Sequence, residues 1–143
     1  MKKLMMAVVA AFSLSGFGAE YWASTTGGDT AAGTEDDPMS LTAALAATAA
    51  GQGGDVIHVA AGTYQPSATI KLDYAVTLEG ADRDTTIFNF KSARQGFVVS
   101  NVDAKLCNVK IINAKNTSSN GGGAYLTDGL VSNCWFNACS VEV

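Results

Sequence analysis

Two segments of this chain, "LCNVKIINA" at 106–114 and "VSNCWFNAC" at 131–139, lie over each other without a gap when Leu106 is set on Val131. They belong to a run of short β-rich stretches that begins at "VIHVA", each separated from the next by Gly, Asn, Asp or Ser. No second helical pattern interrupts the run, which argues against a βαβ architecture. Recurrence at about 20–50 residues, built from short strands, is the signature of a solenoid, in which each coil buries its apolar side only against its neighbours.

The spacing proposes which side chains stack. Val56, Val76 and Val98 recur at nearly even intervals, and so do Ile87, Ile111 and Phe136. Parallel coils stack about 4.8 Å apart, so like side chains fall on like. Val76, Val98, Ile87, Ile111 and Phe136 are therefore expected to form the inward stack. Asn108 and Asn133, separated by the same offset as Leu106 and Val131, are expected to form an amide ladder at a bend between strands. The fold class that follows is all-β, a parallel β-helix carrying one amino-terminal α-helix.

That helix is "DPMSLTAALAATAAG". Asp37 is expected to cap it, Pro38 to occupy its first position, and Gly51 to supply a left-handed stop. Leu41, Leu45 and the alanines between them give one apolar face, with Thr42 and Thr48 off it. Residues 19–53 thus read as a loop, opened by a short strand at Tyr21 and Trp22, and a covering helix. Residues 54–143 read as the coils.

Ahead of this lies a different kind of segment. Lys2 and Lys3 precede an apolar run from Leu4 to Phe12 and then "SLSGFGAE", the charge order of a secretory signal peptide over residues 1–18. The run is too short to span a bilayer. Cleavage after Gly18 places Gly16 and Gly18 at the two small-residue positions. Removing the segment lowers the basic count from 9 to 7 against 13 acidic residues, a net charge near −6. Such a balance argues against nucleic acid and anionic membrane surfaces as partners. Cys107, Cys134 and Cys139 are an odd number in an exported chain and do not make a disulfide framework.

The stretches "YWAS", "GGDTAAGTEDDPMSLTAAL", "GGDVIHVAAGTY", "VTLEGADRDTTI" and "GGGAYLTDGLVSNCWF" resemble secreted bacterial right-handed parallel β-helix proteins of the pectate-lyase-like superfamily. The resemblance covers nearly the whole chain after residue 18. It implies a right-handed coil and a helix, residues 38–50, over the amino-terminal end of the stack. It leaves activity open, because the fold hosts lyases, hydrolases, adhesins and inert stalks.

No constellation reads as a catalytic or cofactor-binding site. Gly121 to Gly123 lack the Lys-Ser/Thr pair of a phosphate loop and are followed by strand, so they read as a tight corner. His58 and the cysteines lack zinc spacing, and Cys134, aligned with Val109, reads as a buried thiol. Asp29 and the run "TEDDP" offer oxygen ligands that suit a calcium ion, though without the spacing of a dedicated loop. Asp82, Arg83 and Asp84 read as a solvated turn with a surface ion pair. Asn116, Thr117 and Ser118 match a glycosylation triplet, which is common by chance. Lys110 and Trp135 should stack outward, where an exposed Trp beside a Lys suits a sugar ring or a cation–π contact; the plainer alternative is Trp135 packed under a loop or a later coil.

The functional expectation is an exported scaffold or surface interaction protein, secreted or held at a bacterial surface, with polysaccharide or cell-surface glycan as partner. The alternative is the amino-terminal part of a polysaccharide lyase or glycoside hydrolase with catalytic coils beyond residue 143. "NACSVEV" carries no capping helix or polar terminal repeat, so further coils of the same chain are expected.

Overall fold

Inward and outward side chains alternate along the strands, and that alternation builds the stack. The computed structural model describes residues 18–51, 53–118 and 120–142. The expected signal segment, residues 1–18, lies outside the described residues except for Gly18. A first strand β1 (Glu20–Gly28) is followed by α1 (Leu41–Ala49). The first coil holds β2 (Asp55–Val59), β3 (Gly62–Tyr64) and β4 (Ile70–Leu72), and the second β5 (Val76–Gly80), β6 (Thr86–Asn89) and β7 (Phe97–Val99). The third holds β8 (Lys105–Cys107), β9 (Lys110–Ile112), β10 (Lys115–Asn116) and β11 (Ala124–Leu126). The last holds β12 (Leu130–Ser132), β13 (Trp135–Asn137) and β14 (Ser140–Val141).

These strands make sheets in the orders β1-β2-β5-β8-β12, β13-β9-β6-β3, β11-β7-β4 and β10-β14. Every strand pair is parallel. The architecture is a parallel β-solenoid of about three turns with one helix.

Between the last two coils a single offset holds throughout, with Leu106 on Val131, Lys110 on Trp135 and Lys115 on Ser140. Earlier coils differ. Ile87 pairs with Lys110 and Phe88 with Ile111, so the inward column is Phe88, Ile111 and Phe136. Ile87 was expected inward, and the true offset is one residue shorter; in a strand a one-residue slip moves a side chain to the opposite face. Val98 is corrected in the same way. Val56 alternates with buried Ile57, and Val98 lies in β7 of another sheet between buried Phe97 and Val99. Val76 is inward, 1% exposed.

Aromatic rings fill the interior of the first two coils. Phe88 packs on Tyr64 at 5.3 Å and on Phe97 at 5.2 Å, and Phe90 meets Phe97 at 5.9 Å between centroids. At the last coil the column opens: Phe136 is 41% exposed, where Ile111 beneath it is fully buried. The Gly121–Gly123 corner is held by close approach rather than by an unusual backbone angle. A Cβ on Gly122 would collide with the Ser140 carbonyl oxygen.

The amino-terminal region differs most from the reading of its sequence. Residues Glu20–Gly28, read mostly as loop, form β1, whose leading residues Glu20 to Ala23 pair with Val56 to Val59 of β2 as the first rung of the largest sheet. The helix starts later than Asp37 and Pro38 suggest. Met39 is held in extended bridges to Ala23 and Gly28, and Ser40 caps the helix by accepting from Ala43 N at 3.1 Å. Asp37 instead accepts from Ala32 N at 2.8 Å within the preceding loop.

The helix ends at Ala50 in a right-handed conformation, and Gly51 N donates to Thr48 O at 3.1 Å. The left-handed glycines come afterwards, at Gly53 and Gly54. Thr48, placed off the buried face by sequence, is 1% exposed on it. Its hydroxyl bonds to Ala44 O and Leu45 O, both at 3.1 Å, and to the Tyr74 hydroxyl at 3.0 Å, which removes the cost of burying it. Ala44 and Thr48, flanked by Leu41 and Leu45, seat α1 on the β1–β2 end of the stack. Ser40→Ala should cost about 1 kcal/mol through loss of this cap, read as a lower urea midpoint at unchanged slope.

Candidate functional site

The outward row of the largest sheet is fixed by register. Trp22 pairs with His58, His58 with Glu79, and Glu79 with Cys107. The Trp22 and His58 rings stack at 4.6 Å between centroids, with 29° between their planes. His58 Nε2 lies 3.8 Å from Glu20 Oε2, too long for a hydrogen bond, and has no other partner among the described residues. The loop between β1 and α1 brings Glu35 and Pro38 alongside this row. Together Trp22, His58, Glu79, Asn108, Glu35 and Pro38 line an open groove of about 460 Å³.

The groove continues into a chain of amides. Asn108 Nδ2 donates to Glu79 Oε1 at 3.2 Å, and Asn133 Nδ2 donates to Asn108 Oδ1 at 2.8 Å. Both asparagines take left-handed backbone angles, φ 58° and 47°, at the corner between two sheets. Asn tolerates that conformation because its short side chain bonds locally. Arg83 Nη1 reaches Asn133 Oδ1 at 3.4 Å and pairs with Asp84 at 3.3 Å. A second ladder, Asn113 Nδ2 to Asn89 Oδ1 at 3.1 Å, marks the next corner.

Lys110 and Trp135 stand together on the outer face of a different sheet. Lys110 Nζ sits 4.2 Å above the Trp135 ring, and Trp135 is 46% exposed. The ammonium therefore occupies one face of the ring and leaves at most the other for a stacking partner. Of the acidic residues considered for calcium, Asp29 accepts from the Ser40 hydroxyl and Asp37 from Ala32 N. Among the described residues no group of three or more His, Cys, Asp or Glu stands as a metal cluster.

The three cysteines are free thiols. Burial pushes the Cys134 thiol above its ordinary value, so it packs as a small apolar side chain. Asn116 of the glycosylation triplet uses its amide on Asn120 O at 2.9 Å and its oxygen on Ser118 N at 3.1 Å.

The sequence marks Trp22 only as the start of a strand and gives His58 no partner. The two lie far apart in the chain and meet only through the β1–β2 register. The signal was the alternation of Tyr21, Trp22 and Ala23, whose second member points outward once β1 is recognised. No protein-family model matches the chain, and neither a curated protein nor a solved structure is found to be similar to it. Among the described residues no helix is long and apolar enough to cross a membrane.

Proposed function

We propose that this chain is an exported β-solenoid scaffold that presents a glycan-contact surface on the outer face of its largest sheet. The observation that carries the reading is the groove itself, where a stacked Trp22–His58 pair stands beside hydrogen-bonding side chains along the line of stacked coils. Aromatic carbon with flanking carboxylate and amide groups is the chemistry that holds a sugar ring. Glu35 and Glu79 in the lining and Glu20 beside it favour neutral or amino sugars over uronates, since like charges oppose one another. The same reading has a further coil of this chain cover β11–β14, where Leu126 and Phe136 are 48% and 41% exposed on the core side.

The test uses the chain from Ala19 onward in affinity electrophoresis through gels that contain neutral, amino or uronic polysaccharides. Retention by a neutral or amino polysaccharide is expected, and Trp22→Ala should weaken it at least about tenfold while the far-ultraviolet dichroism stays unchanged. Loss confined to Trp135→Ala would move the contact surface to the Lys110–Trp135 face. Cleavage of a polysaccharide by the chain alone would overturn the scaffold reading in favour of a lyase or hydrolase.

A further inference from the structure

Asp55 opens β2 with its side chain turned into the stack, 4% exposed. Its Oδ1 accepts from the backbone nitrogen of Ala19 at 2.7 Å. Its Oδ2 is buried and has no hydrogen-bond partner among the described residues. A Cβ on Gly51 would strike that oxygen, so glycine at the end of α1 makes room for it. Among the described residues no Lys, Arg or His side chain forms an ion pair with Asp55. A buried carboxylate with an orphan oxygen is costly and calls for a cation or further donors. The amide of Ala19 has a single proton, and it is already shared with Oδ1.

Ala19 is also the residue that the small-residue pattern places first after leader removal, and the inference rests on that export reading. We propose that cleavage of the Gly18–Ala19 bond converts the Ala19 nitrogen into an α-ammonium that forms an ion pair with Asp55 and completes the amino-terminal end of the solenoid. The step is a hydrolysis by a signal-peptidase-class enzyme with water as co-reactant. The C–N bond breaks, the water oxygen joins the Gly18 carbonyl to give a carboxylate, and the Ala19 nitrogen is left as an ammonium. An α-amino group ordinarily titrates near about 8, so it is mostly charged at neutral pH.

Three donors on one nitrogen then face a carboxylate that holds one bond and lacks another. The position is already fixed before cleavage, because the Ala19 carbonyl accepts from Val56 N at 2.9 Å. Gly18 suits the uncut chain as well as the protease, since a Cβ there would collide with the Gly54 carbonyl. Cleavage removes that tight approach and opens space beside the new charge.

Three recombinant forms test the ion pair: one beginning at Ala19, one beginning at Gly18, and one beginning at Nα-acetylated Ala19. The Ala19 form should melt at least about 5 °C above the other two. Asp55→Asn should remove that gap, lowering the Ala19 form far more than the Gly18 form. Should that variant not fold, the acetylated and Gly18 forms still decide the matter. As a second readout, the Ala19 α-amine should react at least about tenfold more slowly with a succinimidyl ester than the α-amine of the Gly18 form, as an amine held protonated by a carboxylate must.

Equal melting temperatures and equal amine reactivity would overturn the ion pair. The intact mass of protein exported by a bacterial host tests the cut separately. A start at Ala19 supports the maturation step, and any other start overturns it whatever the recombinant forms show.

Discussion

Phe88→Ala should lower the unfolding free energy by about 3–5 kcal/mol, while Ile87→Ala beside it should cost under about 1 kcal/mol. Phe88 is fully buried, stacked on Tyr64 and set edge-on against Phe97. Ile87 stands outward in the row with Thr63 and Lys110. The first loss is a large share of the roughly 5–15 kcal/mol that holds an ordinary domain together, so this variant should unfold at a much lower urea concentration than the parent. Urea denaturation of both variants is the check. A costlier Ile87→Ala would mean that β6 is slipped by one residue.

The second large effect belongs to the corner. Asn108→Ala should cost about 3 kcal/mol: two side-chain hydrogen bonds worth about 1 kcal/mol each, plus about 1 kcal/mol for the strain of a left-handed alanine. Asn108→Gly should recover roughly 1 kcal/mol of this, because glycine accepts φ 58° without strain yet still lacks the amide. Asn133→Ala should cost less, since that residue is exposed on the last coil and donates one bond of the ladder. A thermal melt of the three variants ranks them. If Asn108→Gly were as damaging as Asn108→Ala, the backbone angle would carry none of the effect.

What could be read from the sequence follows where the period is constant. Between the third and fourth coils nothing is inserted, so one offset alone places Leu106 on Val131, Lys110 on Trp135 and Asn108 beside Asn133. Between the second and third coils the largest sheet advances from Leu78 to Leu106, while β6 to β9 makes the shorter advance from Phe88 to Ile111. Turns of different length shift each sheet independently. A search for equal spacing among valines and isoleucines then pairs Ile87 with Ile111 and overlooks Phe88, whose ring does the filling.

The amino-terminal end was obscured for another reason. Asp37 and Pro38 form a good helix start by local chemistry, yet Met39, 7% exposed, is drawn into the core and keeps the chain extended until Ser40. Tertiary burial there outweighs a cap that Ser40 supplies as well a little further on. The candidate groove suffers the same way. Its aromatic pair exists only because β1, polar and glycine-rich, joins the sheet, and the backbone pairing that recruits it leaves no apolar pattern to see.

The account turns on Trp22, His58 and Glu79 forming one outward row across the largest sheet. Disulfide trapping of His58→Cys with Glu79→Cys, in a chain whose native cysteines are replaced by alanine, tests that row directly. Register partners on adjacent parallel strands lie within the roughly 4.4–6.8 Å between Cα atoms that a disulfide spans. The pair should oxidise to a single intrachain crosslink, while His58→Cys with Thr77→Cys, two residues out of register, should not. A crosslink in the second pair and none in the first would contradict the row, and with it the groove and the function read from it.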